Sequence, residues 1–180
     1  MLLHFLQRSG TRAARGLFPV LLLSGCIYSF QAGAGFPDYV RTVAIVPFEN
    51  DTNRPELTDE LFQALLREFP RSQGLQPAGE DVADARVEGL IKRYDLSTPS
   101  YRPGAGNQNV QVLERQVMMT VEVRILNRGP DGGPWEVLWE NTNISVQGPY
   151  LEETETEDDG RGLAIDLLVQ RVIDGAQSNW

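Results

Sequence analysis

Gln116-Val117-Met118-Met119-Thr120-Val121-Glu122-Val123-Arg124-Ile125 is the stretch whose reading decides the fold. Val117, Met119, Val121, Val123 and Ile125 fall on one parity, and Gln116, Met118, Thr120, Glu122 and Arg124 on the other. Strand side chains alternate between two faces, so a period of two puts one face on a core and the other toward water. Val110 to Asn127 is therefore a long, half-buried strand. Gly129-Pro130-Asp131-Gly132-Gly133-Pro134 follows as a hairpin turn, and Trp135 to Gln147 returns as a second strand. Upstream, after the turn Gly79-Glu80-Asp81, Ala83 to Thr98 makes a third. There Ala85, Val87, Gly89 and Ile91 form an apolar face against Arg86, Glu88, Leu90 and Lys92. The centre of the chain thus reads as an antiparallel meander. Between two of its strands, Ser97 to Asn109 carries Pro99, Pro103, Gly104 and Gly106 and is a mobile loop by composition.

Elements with a different period flank the meander. Arg41-Thr42-Val43-Ala44-Ile45-Val46-Pro47-Phe48 is a β-branched run with apolar residues on both faces, hence a covered strand. Pro47 has no amide hydrogen and marks its end or an edge. Glu49 to Asn53 is a polar turn, and Asn53 with Glu56 has the spacing of a capping pair, with Pro55 in the first helical turn. Leu57, Leu61, Phe62, Leu65, Leu66 and Phe69 then make one helical stripe that stops by Pro70. Gly74-Leu75-Gln76-Pro77 suits a short strand. A final helix runs from about Asp159 to Asn179, with Ile165, Leu168, Val169, Val172, Ile173, Ala176 and Trp180 on one stripe. The acids ahead of it, Glu152 to Asp159, suit a helix start and a solvated loop, and they lack the Asp-x-Asp-x-Asp-Gly spacing of a calcium loop. Two helices with one apolar face each predict an α+β two-layer sandwich. Both helices should pack on one face of a mostly antiparallel sheet of about four strands.

The N-terminus has another character. Met1 to Gly25 holds Arg8, Arg12 and Arg15, no acid, and the apolar run Leu17 to Leu23. This is the layout of a secretory signal, too short to cross a bilayer as a stable helix. It ends in Leu23-Ser24-Gly25-Cys26, which resembles the bacterial lipobox: cleavage before Cys26, then a diacylglycerol and palmitate-type acyl modification on it. An exported protein with one cysteine has no disulfide partner within the chain, and lipidation accounts for that residue. Ile27 rather than an aspartate at the next position leaves the protein free to travel to the outer membrane where that sorting rule holds. The expected organisation is a signal at 1–25, a lipidated linker at 26–39 and one domain at 40–180.

Cleavage would remove three of 16 basic residues and none of 25 acidic ones, leaving 155 residues with 13 bases against 25 acids, a net charge of −12. So acidic a domain argues against nucleic acid as a partner. His4, the sole histidine, leaves with the signal, so a histidine-based nucleophile or ordinary zinc site is unavailable. An enzyme would have to rely on a carboxylate pair such as Glu49 and Asp51, whose spacing equally suits a turn and cap. No catalytic residue, metal site or further cofactor is assigned.

The order and spacing of several segments carry a resemblance. They are Phe36 to Leu57 (FPDYVRTVAIVPFENDTNRPEL), Ala83-Asp84-Ala85 leading to Glu88-Gly89-Leu90-Ile91, Val137-Leu138-Trp139, and Gly148-Pro149-Tyr150. Together they resemble the lipopolysaccharide-assembly lipoprotein family LptE through nearly all of the mature chain. The resemblance implies a non-enzymatic lipoprotein at the outer membrane, lipid-anchored and facing the periplasm and barrel lumen. Its partner would be a large LptD-type β-barrel, plugged as a heterodimer, and its ligand lipopolysaccharide. Basic residues near a sheet end would meet that anionic ligand, and Lys92, Arg93, Arg102 and Arg115 are the candidates. The alternative is a lipoprotein activator of a peptidoglycan synthase or a curli-type secretion component, since Val43 to Asn50 also resembles the first strand and turn of those proteins. They would continue with alternating helices and strands after Ile91, where this chain has meander strands.

Overall fold

Along the described residues the elements run β1 (Thr42–Ile45), β2 (Glu49–Asn50), α1 (Glu56–Gln73), β3 (Gln76–Pro77), β4 (Ala85–Leu96), β5 (Ser100–Arg102), β6 (Gln111–Arg128), β7 (Trp135–Tyr150) and α2 (Glu157–Ser178). The structure is a computed structural model that describes residues 35–97, 100–102 and 111–178, with the backbone alone for 100–102 and 111–113. The chain divides into two units, Met1–Phe30 and Gln31–Trp180, and the described residues belong to the second. The signal, Cys26, most of the linker and Trp180 lie outside the described residues, as does the Ser97 to Asn109 loop apart from Ser97 and β5.

The meander is present. β4 with β6 and β6 with β7 pair antiparallel over long registers, Ala85↔Asn127 to Leu96↔Val117 and Arg115↔Tyr150 to Arg128↔Trp135. The sheet is larger and more mixed than four antiparallel strands, however. β1 and β2 lie end to end along one side of β4, both parallel to it, and β3 adds to β1, again in parallel. Six strands thus form one open sheet, and β5 pairs with the start of β6 beyond the end of β4. The extra strands have a local cause. Pro47 interrupts the first apolar run and splits it in two, and the α1 crossover returns the chain at Gln76 beside Thr42.

Helix α1 corrects both expected ends. Its start has no side-chain cap from Asn53. The turn is built on Asn50, whose Oδ1 accepts the Thr52 amide (2.9 Å) and hydroxyl (2.7 Å) while its Nδ2 donates to the Arg54 carbonyl (2.8 Å). Nor does Pro70 stop the helix. Its missing amide removes one helical hydrogen bond, yet one more turn follows. Gly74, at φ 67°, closes that turn, with its own amide donating to the Arg71 carbonyl and the Leu75 amide to that of Pro70 (2.8 Å). This paired closure needs a left-handed residue, which glycine adopts without strain.

Both helices cover the same face of the sheet, as expected. Leu57, Leu61, Leu65 and Phe69 of α1 and Ala164, Leu168, Val169 and Val172 of α2 are buried against Val87, Ile91, Val117, Met119, Val121 and Val123. At one end of β7 the layers meet backbone to backbone. A Cβ on Gly148 would collide with the Gly160 carbonyl of α2, and one on Gly160 with the Tyr150 ring. Asp84 ties the other end, its Oδ2 accepting the amides of Arg41 and Thr42 (2.9 Å each) and the Thr42 hydroxyl (2.8 Å). Burial pushes this carboxyl up, but those three donors outweigh it and hold it below the ordinary carboxylate range.

Candidate functional site

The alternation of β4 does not continue past Ile91. Ile91 pairs with Val121 and Arg93 with Thr120, so Lys92 is the extra residue of a β-bulge. A bulge reverses which face the following residues meet. Arg93 therefore lies beside Lys92 on the open face, and Tyr94, opposite Met119, turns toward the helices. Two adjacent cations on one face are the product. They line a cavity of about 330 Å³ with Asp95, Met118, Thr120, Asn143 and Ser145.

Their engagements differ. Lys92 Nζ pairs with Glu122 (2.8 Å) and donates to the Thr142 carbonyl (2.8 Å), at a second bulge where β7 carries one extra residue opposite β6. Lys92 thus reaches across β6 to fasten β7, and its hydrogen bond holds Glu122 below the usual carboxylate range. Arg93 is far freer, 73% exposed and only 3.8 Å from Asp95. Arg115 lies five residues along β6 from the Thr120 row, about 17 Å by strand rise. On the parity of Val117 it faces the helix side, where it pairs with Glu152 (2.9 Å). Arg102 is opposite Gln111, about 30 Å from that row, and its side chain lies outside the described atoms. Lys92 and Arg93 come together. Arg115 and Arg102 extend the basic character along the same end of the sheet without joining them.

Elsewhere the open face is a ladder of paired charges. Arg86 bridges Glu80 (2.6 Å) and Glu88 (2.8 Å), and Glu88 also takes Arg124 (2.9 Å). The Trp135 ring is met by both Arg86 and Arg128, with centroid distances of 4.8 and 4.3 Å. Such a surface suits water or a polar partner.

A third cluster joins the helices and went unread in the sequence. Arg161, nearly buried, grips Glu60 with two nitrogens (2.8 and 3.1 Å) and donates to Asp158 (2.9 Å). The bidentate bond to Glu60 raises its pKa further. Beside it the Tyr94 hydroxyl donates to Glu157 (2.8 Å), and Arg54 pairs with the same carboxylate (2.8 Å). Burial, then the Glu157 bond, pushes the Tyr94 phenol up to about 12. The one sequence signal was that Arg161 precedes Ala164 and Ile165 by three and four, on the buried stripe of α2. The acidic run is largely absorbed here. Glu152, Glu157 and Asp158 have cationic partners, while Asp159 and Thr156 form a reciprocal capping box. Glu49 and Asp51, the carboxylates weighed for catalysis, sit at and just after β2.

Comparison with solved structures gives hypothetical protein CT253 from Chlamydia trachomatis, at TM-score 0.51 and 13% identity over 78% of this chain and 99% of that one. That likeness is one of fold. The PelC dodecamer from Paraburkholderia phytofirmans aligns at TM-score 0.47 and 13% identity over 83% and 95% of the two chains. Rare lipoprotein B from Shewanella oneidensis aligns at 0.35 and 19% over 76% and 88%. No curated protein matches the sequence. The family model described as LptE, lipopolysaccharide-assembly, matches residues 40–175, from just before β1 almost to the end of α2. The chain therefore belongs to the LptE lipopolysaccharide-assembly family, whose members are non-catalytic lipoproteins anchored at the outer membrane and facing the periplasm.

Proposed function

We propose that this lipoprotein binds and plugs a large LptD-type outer-membrane β-barrel as a heterodimer and assists assembly of lipopolysaccharide in the outer leaflet. The family match over residues 40–175 carries this reading. One physical feature agrees with it. The lumen of an outer-membrane barrel is polar, so a body seated there needs a polar surface. The open sheet face, with its ladder from Glu80 through Arg86 and Glu88 to Arg124, supplies one. In this reading residues 1–25 are removed, Cys26 carries the anchor, 26–39 is the tether and 40–180 is the plug body.

Lipopolysaccharide contact falls to Lys92, Arg93, Arg102 and Arg115. Lys92 and Arg93 share the open face while Arg115 lies on the helix side, so the four make separate contacts with an anionic ligand and not a single chelating site. Arg93 is the strongest of the four, because a guanidinium grips phosphate with two donors and this one is held by a single distant carboxylate. Affinity purification of the tagged, full-length protein from envelope extracts tests the partner, with a large barrel expected in equal stoichiometry. Recovery of a periplasmic synthase instead would overturn the reading.

A further inference from the structure

The cavity that holds Lys92 and Arg93 does not end at β7. Asn143 and Ser145, which line it, also line a larger groove of about 590 Å³ between β7 and the last turns of α2. The β7 bulge joins the two spaces. Asn141, opposite Val123, and Ile144, opposite Val121, both stand on the helix side, so one extra residue lies between them. A strand bends at such a point, and the side chains around it reach both the open face and the groove.

Trp139 faces the helices opposite Ile125, and its ring lies against Gly175 of α2. A Cβ at 175 would collide with ring carbons, so glycine is what lets the indole line the groove in this position. Around the ring the polar groups are uncommitted. Asn141 Oδ1 accepts the Asn143 amide (3.0 Å), and its Nδ2 has no partner among the described residues. Arg171 and Asp174 line the same groove, and among the described residues neither forms an ion pair, with each other or with a third group.

This set of groups discriminates between ligands. An acyl chain would leave the amide and both charges unpaired, and a bare anion would meet Asp174. A sugar ring suits all of them. Its C–H face packs on the indole, and the hydroxyls at its rim donate to a carboxylate and accept from a guanidinium or an amide. We propose that the groove is a saccharide subsite continuous with the Lys92–Arg93 cavity, so that one phosphorylated saccharide lays a phosphate against Arg93 and a sugar ring along Trp139. This rests on the reading that the ligand is lipopolysaccharide, a phosphorylated glycolipid, and adds which part of it is held where. The groove has the volume of an ordinary small-molecule site. The mixed charges around β7 then have separate tasks: Arg93 takes the phosphate, while Arg171 and Asp174 address hydroxyls as donor and acceptor.

The probe is deacylated lipopolysaccharide, which keeps the phosphates and sugars and lacks the acyl chains, titrated by calorimetry into the full-length protein in detergent micelles. Asp174→Ala should lower its affinity about tenfold and Asn141→Ala about threefold, the scales of one charged and one neutral hydrogen bond. Asp166→Ala, on the outer face of α2, should leave it unchanged. A second readout does not depend on those variants folding. With Trp135 and Trp180 replaced by phenylalanine, the emission of Trp139 should shift when the probe binds. A glycan fragment of peptidoglycan, which offers sugars without the phosphates, is titrated in parallel. Binding of the deacylated probe that Arg93→Ala weakens, while both groove variants bind normally and Trp139 emission stays fixed, overturns the saccharide subsite and leaves the lipopolysaccharide reading standing. A peptidoglycan fragment that shifts Trp139, when deacylated lipopolysaccharide does not bind, supports the saccharide chemistry and overturns lipopolysaccharide as its source. Binding of neither probe overturns the subsite, and the barrel reading is judged separately by co-purification.

Discussion

Arg161 is the charged residue held furthest from water among the described residues, and Glu60 and Asp158 partner it there. Removing a partner leaves a cation held away from solvent, whereas removing the cation leaves two carboxylates that are themselves largely hydrated. Glu60→Ala should therefore cost about 1–3 kcal/mol, and Arg161→Met, which refills the volume with apolar atoms, should cost less. Urea denaturation of the two variants checks the order, and an equal or larger loss for Arg161→Met would show that the unpaired cation is not the costly species. Asp84 acts at the same scale through pH. Its folded pKa lies below the unfolded value, so its stabilising effect is present above about pH 4 and fades as pH falls through the folded pKa. The stability difference between the native protein and Asp84→Asn should be largest near pH 7 and shrink toward pH 3 in thermal melts. A difference independent of pH would place the effect in packing instead.

At the scale of elements, what could be read in the sequence was whatever repeats. The period of two in β4 and β6 and the stripes of α1 and α2 each recur several times, so one face of each of these elements was legible. Single events were not. The bulge at Lys92 changes the facing of everything after it, although a hint was present: Arg93 and Asp95 continue the parity of Ile91, and a strict strand would have put both charges in the core. The turn past Pro70 was missed because proline was read as a stop, while Gly74 set the true end. The meeting of Gly148 and Gly160 depends on pairing β7 with α2, which no local pattern reveals. It yields a test in which two effects oppose each other. Alanine in a helix gains about 1 kcal/mol over glycine by propensity, yet at Gly160 it meets the Tyr150 ring at 2.7 Å and the Gly148 carbonyl at 2.9 Å. Overpacking of that kind costs about 1–3 kcal/mol, so Gly160→Ala should lower stability despite propensity. Gly162→Ala, on the same helix with nothing within 4 Å, should raise it. If both substitutions stabilise in urea melts, the close approach of strand and helix is not what glycine serves at 160.

For the molecule as a whole, anchoring and folding should be separable. Among the described residues the apolar core runs from Val40 to Ala176, all after Cys26, and the family match begins at residue 40. The candidate site was legible only in part at this scale. Charge type pointed to Lys92, Arg93, Arg102 and Arg115, but their separation along β6 and the engagement of Lys92 by Glu122 and Thr142 are properties of the assembled sheet. Position in the cell, by contrast, rests in the proposed reading on one short stretch, Leu23-Ser24-Gly25-Cys26. An acyl chain contributes about 0.8 kcal/mol per buried methylene, and stable anchoring takes more than one chain. A body with a net charge of −12 after the proposed cleavage gains nothing from an anionic membrane surface to replace them. Cys26→Ser should accordingly abolish palmitate labelling and move the protein out of the membrane fraction. Its melting curve and circular dichroism should match those of the native domain, because the apolar core among the described residues begins at Val40. Membrane retention at native levels without the label would show that the body, through its protein partner, holds the chain at the membrane without help from the lipid.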